Sequence, residues 1–282
     1  MHFTRLASPA AAVILMAVSQ QTPAAEEGRS PPFFMFANSR FADRAQDEAV
    51  RAVLRQYLDG RDYLGVELRK RDPELTRRIS RDHTFALPAS VAAVRKRAEG
   101  GEVGLLVYDL EHWSSTPAEE QQGPAGAVNQ ALAAARSRSG CRFGISPDGT
   151  FLGIDLKTRD TSMNRSLLPK IDVSKLDLVG LQAQRLLSDE WAADGGRERY
   201  VSFVSALAKD LKQRNPKILV VAQVSFRYTT AERTIEAMRL VRGEVDGFYL
   251  AFPATTPNVP CRYCDAEKLR QVLAAIRTPK TE

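Results

Sequence analysis

Residues 103–113 read VGLLVYDLEHW. From Val103 to Leu110 the run stays apolar on both alternating sides until its end, which is the pattern of a strand covered on both faces. Alternation puts Asp109 and Glu111 on one side, in phase with Val103, Leu105 and Val107. His112 has the other parity and is expected to face the loop. Strands covered on both faces need helices on both faces, hence a parallel sheet. Acids at the carboxyl end of such a strand lie where a barrel builds its sites.

The same rhythm extends outward from this stretch. C-terminal to it come an Ala-rich helix near 124–138, a strand at 141–145 and an irregular connection over 146–175 rich in Gly, Pro, Asp and Asn. A strand at 176–183 precedes a helix over 199–214. That helix carries Val201, Val204, Leu207, Ala208 and Leu211 on one face and stops at Asn215-Pro216. Strand 217–224, helix 230–241, strand 246–252 and helix 266–276 follow. N-terminal to the stretch, a helix runs from about Pro88 to Gly100-Gly101, a short strand covers 84–87, and residues 45–58 form an amphipathic helix after a strand at 33–36. This makes seven strands, with an eighth expected at Tyr63–Leu68. The expected fold is α/β, a (β/α)8 TIM-like barrel, allowing for an incomplete or distorted ring. An open doubly wound sheet is the alternative, but the sequence has neither a Gly-x-Gly-x-x-Gly after the first strand nor a phosphate-loop lysine.

Length and composition agree with one such domain. The 282 residues carry 40 Lys+Arg against 34 Asp+Glu, and 44% are apolar. The densest basic stretch, 61–82, is interleaved with Asp62, Glu67, Asp72, Glu74 and Asp82, so it reads as a mixed, solvated face rather than a nucleic-acid groove. Residues 1–25 place His2 and Arg5 before a short apolar run and then small residues, the layout of a secretory signal. The expected organisation is a signal peptide over 1–25 and a single barrel over 26–282. The expected location is secreted or periplasmic, with no stable membrane insertion after signal removal.

Asp109 and Glu111 are the candidate catalytic pair: a paired acid raises or orients its partner's proton, which suits general acid work. The same carboxylates would alternatively cap a helix or pair with Arg. Trp113 offers a flat apolar face. Gln182 and Gln184 share one strand phase, Gln223, Ser225 and Arg227 share another, and Tyr249 and Phe252 add aromatic surface. A mouth of Glu, Gln and rings suits neutral polyhydroxyl ligands, although a buried amide network closing the barrel accounts for the same residues.

Tyr108-Asp109-Leu110-Glu111-His112-Trp113, with Thr116-Pro117 and Glu119-Glu120-Gln121 after it, resembles a block in secreted actinobacterial proteins with glycoside-hydrolase-like barrels. So do DLVGLQAQ at 177–184, NPKILVVAQVS at 215–225 and VDGFYLAFP at 245–253. More distantly, Asp109-x-Glu111 resembles the end of the chitinase strand-four motif, whose final Glu is the general acid. That motif has two further Asp, where this chain has Val107 and Gly104. The resemblance implies a glycoside hydrolase acting on a polysaccharide or glycoconjugate, with Glu111 as proton donor. Its alternative is a non-catalytic carbohydrate or cell-envelope binding protein on a degenerate barrel.

Cys261 and Cys264 lie in a loop before the last helix, and an exported chain favours a disulfide between them. Cys141 reads as a small buried apolar residue. No metal is expected: His83 and His112 are the only histidines after the leader, and Asp148-Gly149-Thr150 with Asp155 is too sparse for a calcium loop. No cofactor is expected, and the expected partner is a carbohydrate or cell-envelope polymer.

Overall fold

The computed structural model describes residues 34–39, 44–137, 140–190, 195–252 and 264–277. The chain divides between Pro31 and Pro32. The expected leader falls outside the described residues, all of which belong to the larger unit.

Eight parallel strands close into a barrel in chain order. They are β1 (Phe34–Ser39), β2 (Tyr63–Gly65), β3 (Thr84–Ala86), β4 (Leu105–Tyr108), β5 (Arg142–Ile145), β6 (Leu178–Leu181), β7 (Leu219–Ser225) and β8 (Gly247–Phe252). β1 pairs with both β2 and β8, which seals the ring and excludes the open doubly wound alternative. The helices are α1 (Arg44–Tyr57), α2 (Val66–Arg71), α3 (Pro73–Arg78), α4 (Val91–Gly100), α5 (Ala118–Gln122) and α6 (Pro124–Arg136). They continue with α7 (Gly149–Leu152), α8 (Gly196–Arg214), α9 (Ala231–Val241) and α10 (Ala266–Ile276).

Strand alternation sorts the side chains into two cores. Leu105 and Val107 point into the barrel with Tyr63, Phe85, Leu178 and Val221. Leu106 and Tyr108 point outward into the larger core between sheet and helices. The outer core takes the apolar stripes of the helices, such as Val50, Val53, Leu54 and Tyr57 of α1 and Phe203, Val204, Leu207 and Leu211 of α8. Two glycines let β5 and β6 approach. A Cβ on Gly144 would meet Leu178 O at 2.7 Å, and one on Gly180 would meet Ser146 Oγ at 2.8 Å.

The hidden strand exists but is shorter than expected. β2 ends at Gly65, and Val66-Glu67-Leu68-Arg69-Lys70-Arg71 turns straight into α2. Its unbranched charged residues favour helix, and burial of Val66 and Leu68 fixes the turn. The irregular connection after β5 holds α7 and three short 3-10 turns, Met163–Arg165, Leu168–Lys170 and Val173–Lys175. Apolar periodicity is too short there to register in the sequence. Among the described residues no helix is long and apolar enough to cross a membrane.

Candidate active site

Because Leu105 and Val107 face the lumen, the next residue in that phase, Asp109, emerges at the carboxyl-terminal mouth. Glu111 follows beside it, close enough for a hydrogen bond between the two carboxyls. Gln182 continues the inward phase of Leu178 and Gly180 and reaches them from across the mouth. Its Nε2 lies 3.1 Å from Asp109 Oδ1, 3.0 Å from Glu111 Oε1 and 2.8 Å from Ser146 O. One amide group therefore donates to both acids while the backbone of the β5 end anchors it.

Burial, then the neighbouring Glu111 charge, hold the Asp109 carboxyl well above the usual range, despite the opposing bond from Gln182. Burial also raises Glu111, with Asp148 adding repulsion, against the bonds from Gln182 and Asp109. Two acids in contact and out of water cannot both ionise cheaply, so the pair retains a proton to higher pH than a free carboxylate.

Asp148 behaves oppositely. Burial disfavours its charge, but hydrogen bonds from the Thr150 side chain and the His112, Phe151 and Thr150 backbone amides outweigh burial and hold it below the usual range. The distances are 2.6 Å from Thr150 Oγ1, 2.9 Å from His112 N, 3.2 Å from Phe151 N and 2.7 Å from Thr150 N. The His112 ring stacks on Phe151 at 4.0 Å between centroids. Its Nδ1 lies 3.1 Å from Asp148 Oδ2 and 2.9 Å from Thr150 Oγ1. Since Thr150 spends its hydroxyl hydrogen on Asp148, both neighbours of Nδ1 are acceptors. Nδ1 therefore carries the hydrogen, which leaves the Nε2 lone pair of the neutral ring.

These groups open on a cavity of about 870 Å³ lined by Glu111, His112, Asp148 and Gln182 and also by Lys157, Arg159, Arg185, Glu190 and Tyr228. Gln184 also lines it, with its Oε1 buried and without a hydrogen-bond partner among the described residues. The expected common phase of Gln182 and Gln184 breaks at Ala183, where the chain enters a 3-10 turn over Gln184–Leu187.

The structure thus brings Asp109, Glu111, Gln182 and Gln184 to one mouth. The other sequence candidates are placed elsewhere. Trp113 is 43% exposed, ties its Nε1 to Thr116 Oγ1 at 2.9 Å and does not line the cavity. Gln223 and Tyr249 sit deeper in the lumen, where Tyr249 packs edge-on against Phe85 and Gln223 Oε1 is buried without a partner among the described residues. Arg227 lies over the Tyr228 ring. Phe252 ends β8, and its side chain lies outside the description, as does Cys261 of the expected disulfide. Cys264 is buried, and Cys141 is a half-buried free thiol. Sequence reasoning missed Asp148, the turn of His112 toward it, and the basic wall. The legible signal was Asp148-Gly-Thr, a helix N-cap three residues beyond a strand. Among the described residues no group of three or more His, Cys, Asp and Glu is placed to hold a metal ion.

Fold and site together define a (β/α)8 barrel with a proton-sharing carboxyl pair at its mouth. The sequence matches no protein-family model and no curated protein. Solved structures similar to it include a variant carboxyl transferase domain of Rhizobium etli pyruvate carboxylase with pyruvate, 12% identical, TM-score 0.46, over 90% of this chain and 50% of that one. The same domain with 3-bromopyruvate is 11% identical, TM-score 0.44, over 89% and 49%. An HMG-CoA lyase from Acenitobacter baumannii in complex with coenzyme A and 3-methylmalate is 10% identical, TM-score 0.44, over 84% and 78%. The chain spans about half the length of the carboxyl transferase structures it matches.

These neighbours correct the glycoside-hydrolase resemblance. The enzymes matched are named for pyruvate carboxylation and HMG-CoA cleavage, not for sugars. Asp109, Glu111 and the Gln-bearing strand ends occupy positions that strand alternation turns toward the mouth in any such barrel, and a shared fold does not transmit activity. The glycoside hydrolase function and its binding-protein alternative are withdrawn with it. So are the carbohydrate or cell-envelope partner and the secreted or periplasmic location.

Proposed function

We propose that the chain is an acid–base enzyme that moves protons next to a substrate carbonyl. The observation that carries this reading is the buried contact of Asp109 with Glu111, gathered by Gln182, which keeps a proton on the pair against the Gln182 bonds while Glu111 and the Asp148-oriented His112 line one cavity. In the forward step His112 Nε2 takes a proton from the carbon beside the carbonyl. The C–H electron pair becomes the new C=C bond, and the pair's proton passes from Asp109 through Glu111 to the carbonyl oxygen, yielding the enol. Asp148 stabilises the imidazolium so formed, and Asp109 stabilises the Glu111 carboxylate only after taking up a proton from solvent, which resets the pair.

The test is solvent exchange. Small ketones and keto acids are incubated with the protein in D2O, and loss of their acidic C–H signals is followed by proton NMR. The expected result is exchange catalysed by the wild type and reduced by about a hundredfold or more in Glu111→Gln and in His112→Asn. Exchange that persists in Glu111→Gln, or no exchange with any carbonyl compound, overturns the reading.

A further inference from the structure

The cavity is lined by the acids Glu111 and Asp148 on its half-buried floor and, on its wall, by the cations Lys157, Arg159 and Arg185 together with Glu190. Lys157 and Arg159 lie on a short loop closed by the antiparallel bridge between Ile154 and Thr161. Asp155 organises it: its Oδ1 accepts Lys157 N at 2.8 Å and Thr158 N at 3.1 Å, and its carbonyl accepts Arg159 N at 2.8 Å. Arg159 itself has φ 63°, the one positive φ outside glycine among the described residues. That conformation is unfavourable for an L-residue and persists where the surroundings enforce it. Arg199 supports it from α8 by donating to the Arg159 carbonyl at 3.0 Å.

Lys157 makes no ion pair among the described residues and borders the cavity. Arg185 also lines the cavity, with its guanidinium 5.0 Å over the Tyr228 ring and 3.0 Å from Glu190, and Arg159 Nη1 donates to the Glu190 carbonyl at 3.4 Å. On the floor, Asp148 is committed to backbone amides and His112, and Asp109 and Glu111 retain a proton between them. A ligand in the cavity therefore has both the cations of this wall and the proton-bearing acid at Glu111 among its lining groups.

We infer that the site takes a substrate with an anionic tail and a neutral reacting head. The tail is a carboxylate or phosphate held by Lys157 and Arg159, and the head lies over Glu111 and His112. This rests on the proposed acid–base reading for the role of the floor, while the anion contact itself does not depend on proton transfer. Guanidinium and ammonium donors favour both oxyanions. A second anionic group at the head would face the acid pair and be disfavoured.

The test uses equilibrium binding followed by ligand-observed NMR on the full chain. The probes are levulinate (a carboxylate tail and a ketone head), its methyl ester, succinate and inorganic phosphate. Levulinate is expected to bind about tenfold or more tighter than the ester, and to weaken about tenfold in Lys157→Gln and in Arg159→Gln. Raised salt is expected to weaken levulinate and leave the ester unchanged. Succinate is expected to bind more weakly than levulinate in the wild type and to gain on it in Asp109→Asn. Phosphate displacing levulinate indicates that the wall accepts either oxyanion, and failure to displace it restricts the tail to carboxylate; in both cases the anionic tail stands. Glu111→Gln is expected to keep levulinate binding, so loss of exchange with binding retained counts for both readings, and binding without exchange in the wild type retains this one alone. Equal binding of acid and ester, or affinity unchanged in both wall variants, overturns it. Lys157 is exposed and outside the core, so that variant remains informative if Arg159→Gln fails to fold.

Discussion

Arg277, just beyond α10, grips Asp62, just before β2, through two parallel contacts: Nη1 to Oδ2 at 2.5 Å and Nη2 to Oδ1 at 2.6 Å. The same carboxylate accepts Met35 N at 2.9 Å and Asp59 N at 2.7 Å. Asp62 is fully buried. One charge pair thus ties the end of the last helix to the amino ends of β1 and β2, at the face opposite the site.

Removing one partner leaves the other charge buried and unpaired. Arg277→Met is therefore expected to destabilise the barrel by about 3–5 kcal/mol. Urea unfolding checks it, and the double variant Asp62→Leu with Arg277→Met should recover part of the loss, since neither charge then remains.

The acid pair makes a prediction about stability as well as activity. The folded state raises the carboxyls of Asp109 and Glu111, so between the ordinary carboxylate range and their folded values it binds protons that the unfolded chain has released. That contribution is fully present below the unfolded value and is lost as pH rises through the folded one. Glu111→Gln removes Glu111's own share and its repulsion on Asp109, which leaves only the part due to burial of Asp109. The variant is expected to gain stability on the wild type as pH increases from acid to neutral, by thermal melts in parallel buffers.

Asp72 has the opposite sign. It caps α3 by accepting Glu74 N and Leu75 N and pairs with Arg55 at 3.0 Å. Although burial opposes its charge, these bonds lower its carboxyl below the ordinary value. Its contribution is present above the unfolded value and is lost as pH falls through the folded one. Asp72→Asn is expected to cost about 1–2 kcal/mol at neutral pH, with the difference from wild type shrinking on acidification. Denaturant curves at both ends of that window measure it.

Gln182→Leu keeps volume but strips both acids of a donor. Because the Gln182 bond lowers each carboxyl, its loss is expected to raise them further, so that the pair holds its proton to still higher pH. Carboxyl bands in a difference infrared titration read this directly, with Asp109→Asn identifying the pair's contribution.

Gly144→Ala tests the approach of β5 to β6. The added methyl would lie 2.7 Å from Leu178 O, against backbone that cannot yield without moving a strand. A loss of about 1–3 kcal/mol is expected, with the site disturbed because Ser146 and Gln182 lie directly above.

Local patterning alone determined most of the elements and the direction of Asp109. The apolar run 103–108 needs covering on both faces, and its period of two places Asp109 with Leu105 and Val107 in any fold that uses it as a strand. The stripe on α8 and the Asp265 cap of α10 are legible for the same reason: the residues that interact lie within a turn of each other. Only the tertiary structure decided that β2 stops at Gly65 and that the ring closes through β1 and β8. It alone brought Gln182 onto carboxyls 73 and 71 residues earlier in the chain, and Asp148 onto His112. Those contacts depend on strand register around a closed barrel and on a loop pinned by its own backbone hydrogen bonds. No periodicity records such distances, because the partners become neighbours only after the intervening helices have packed.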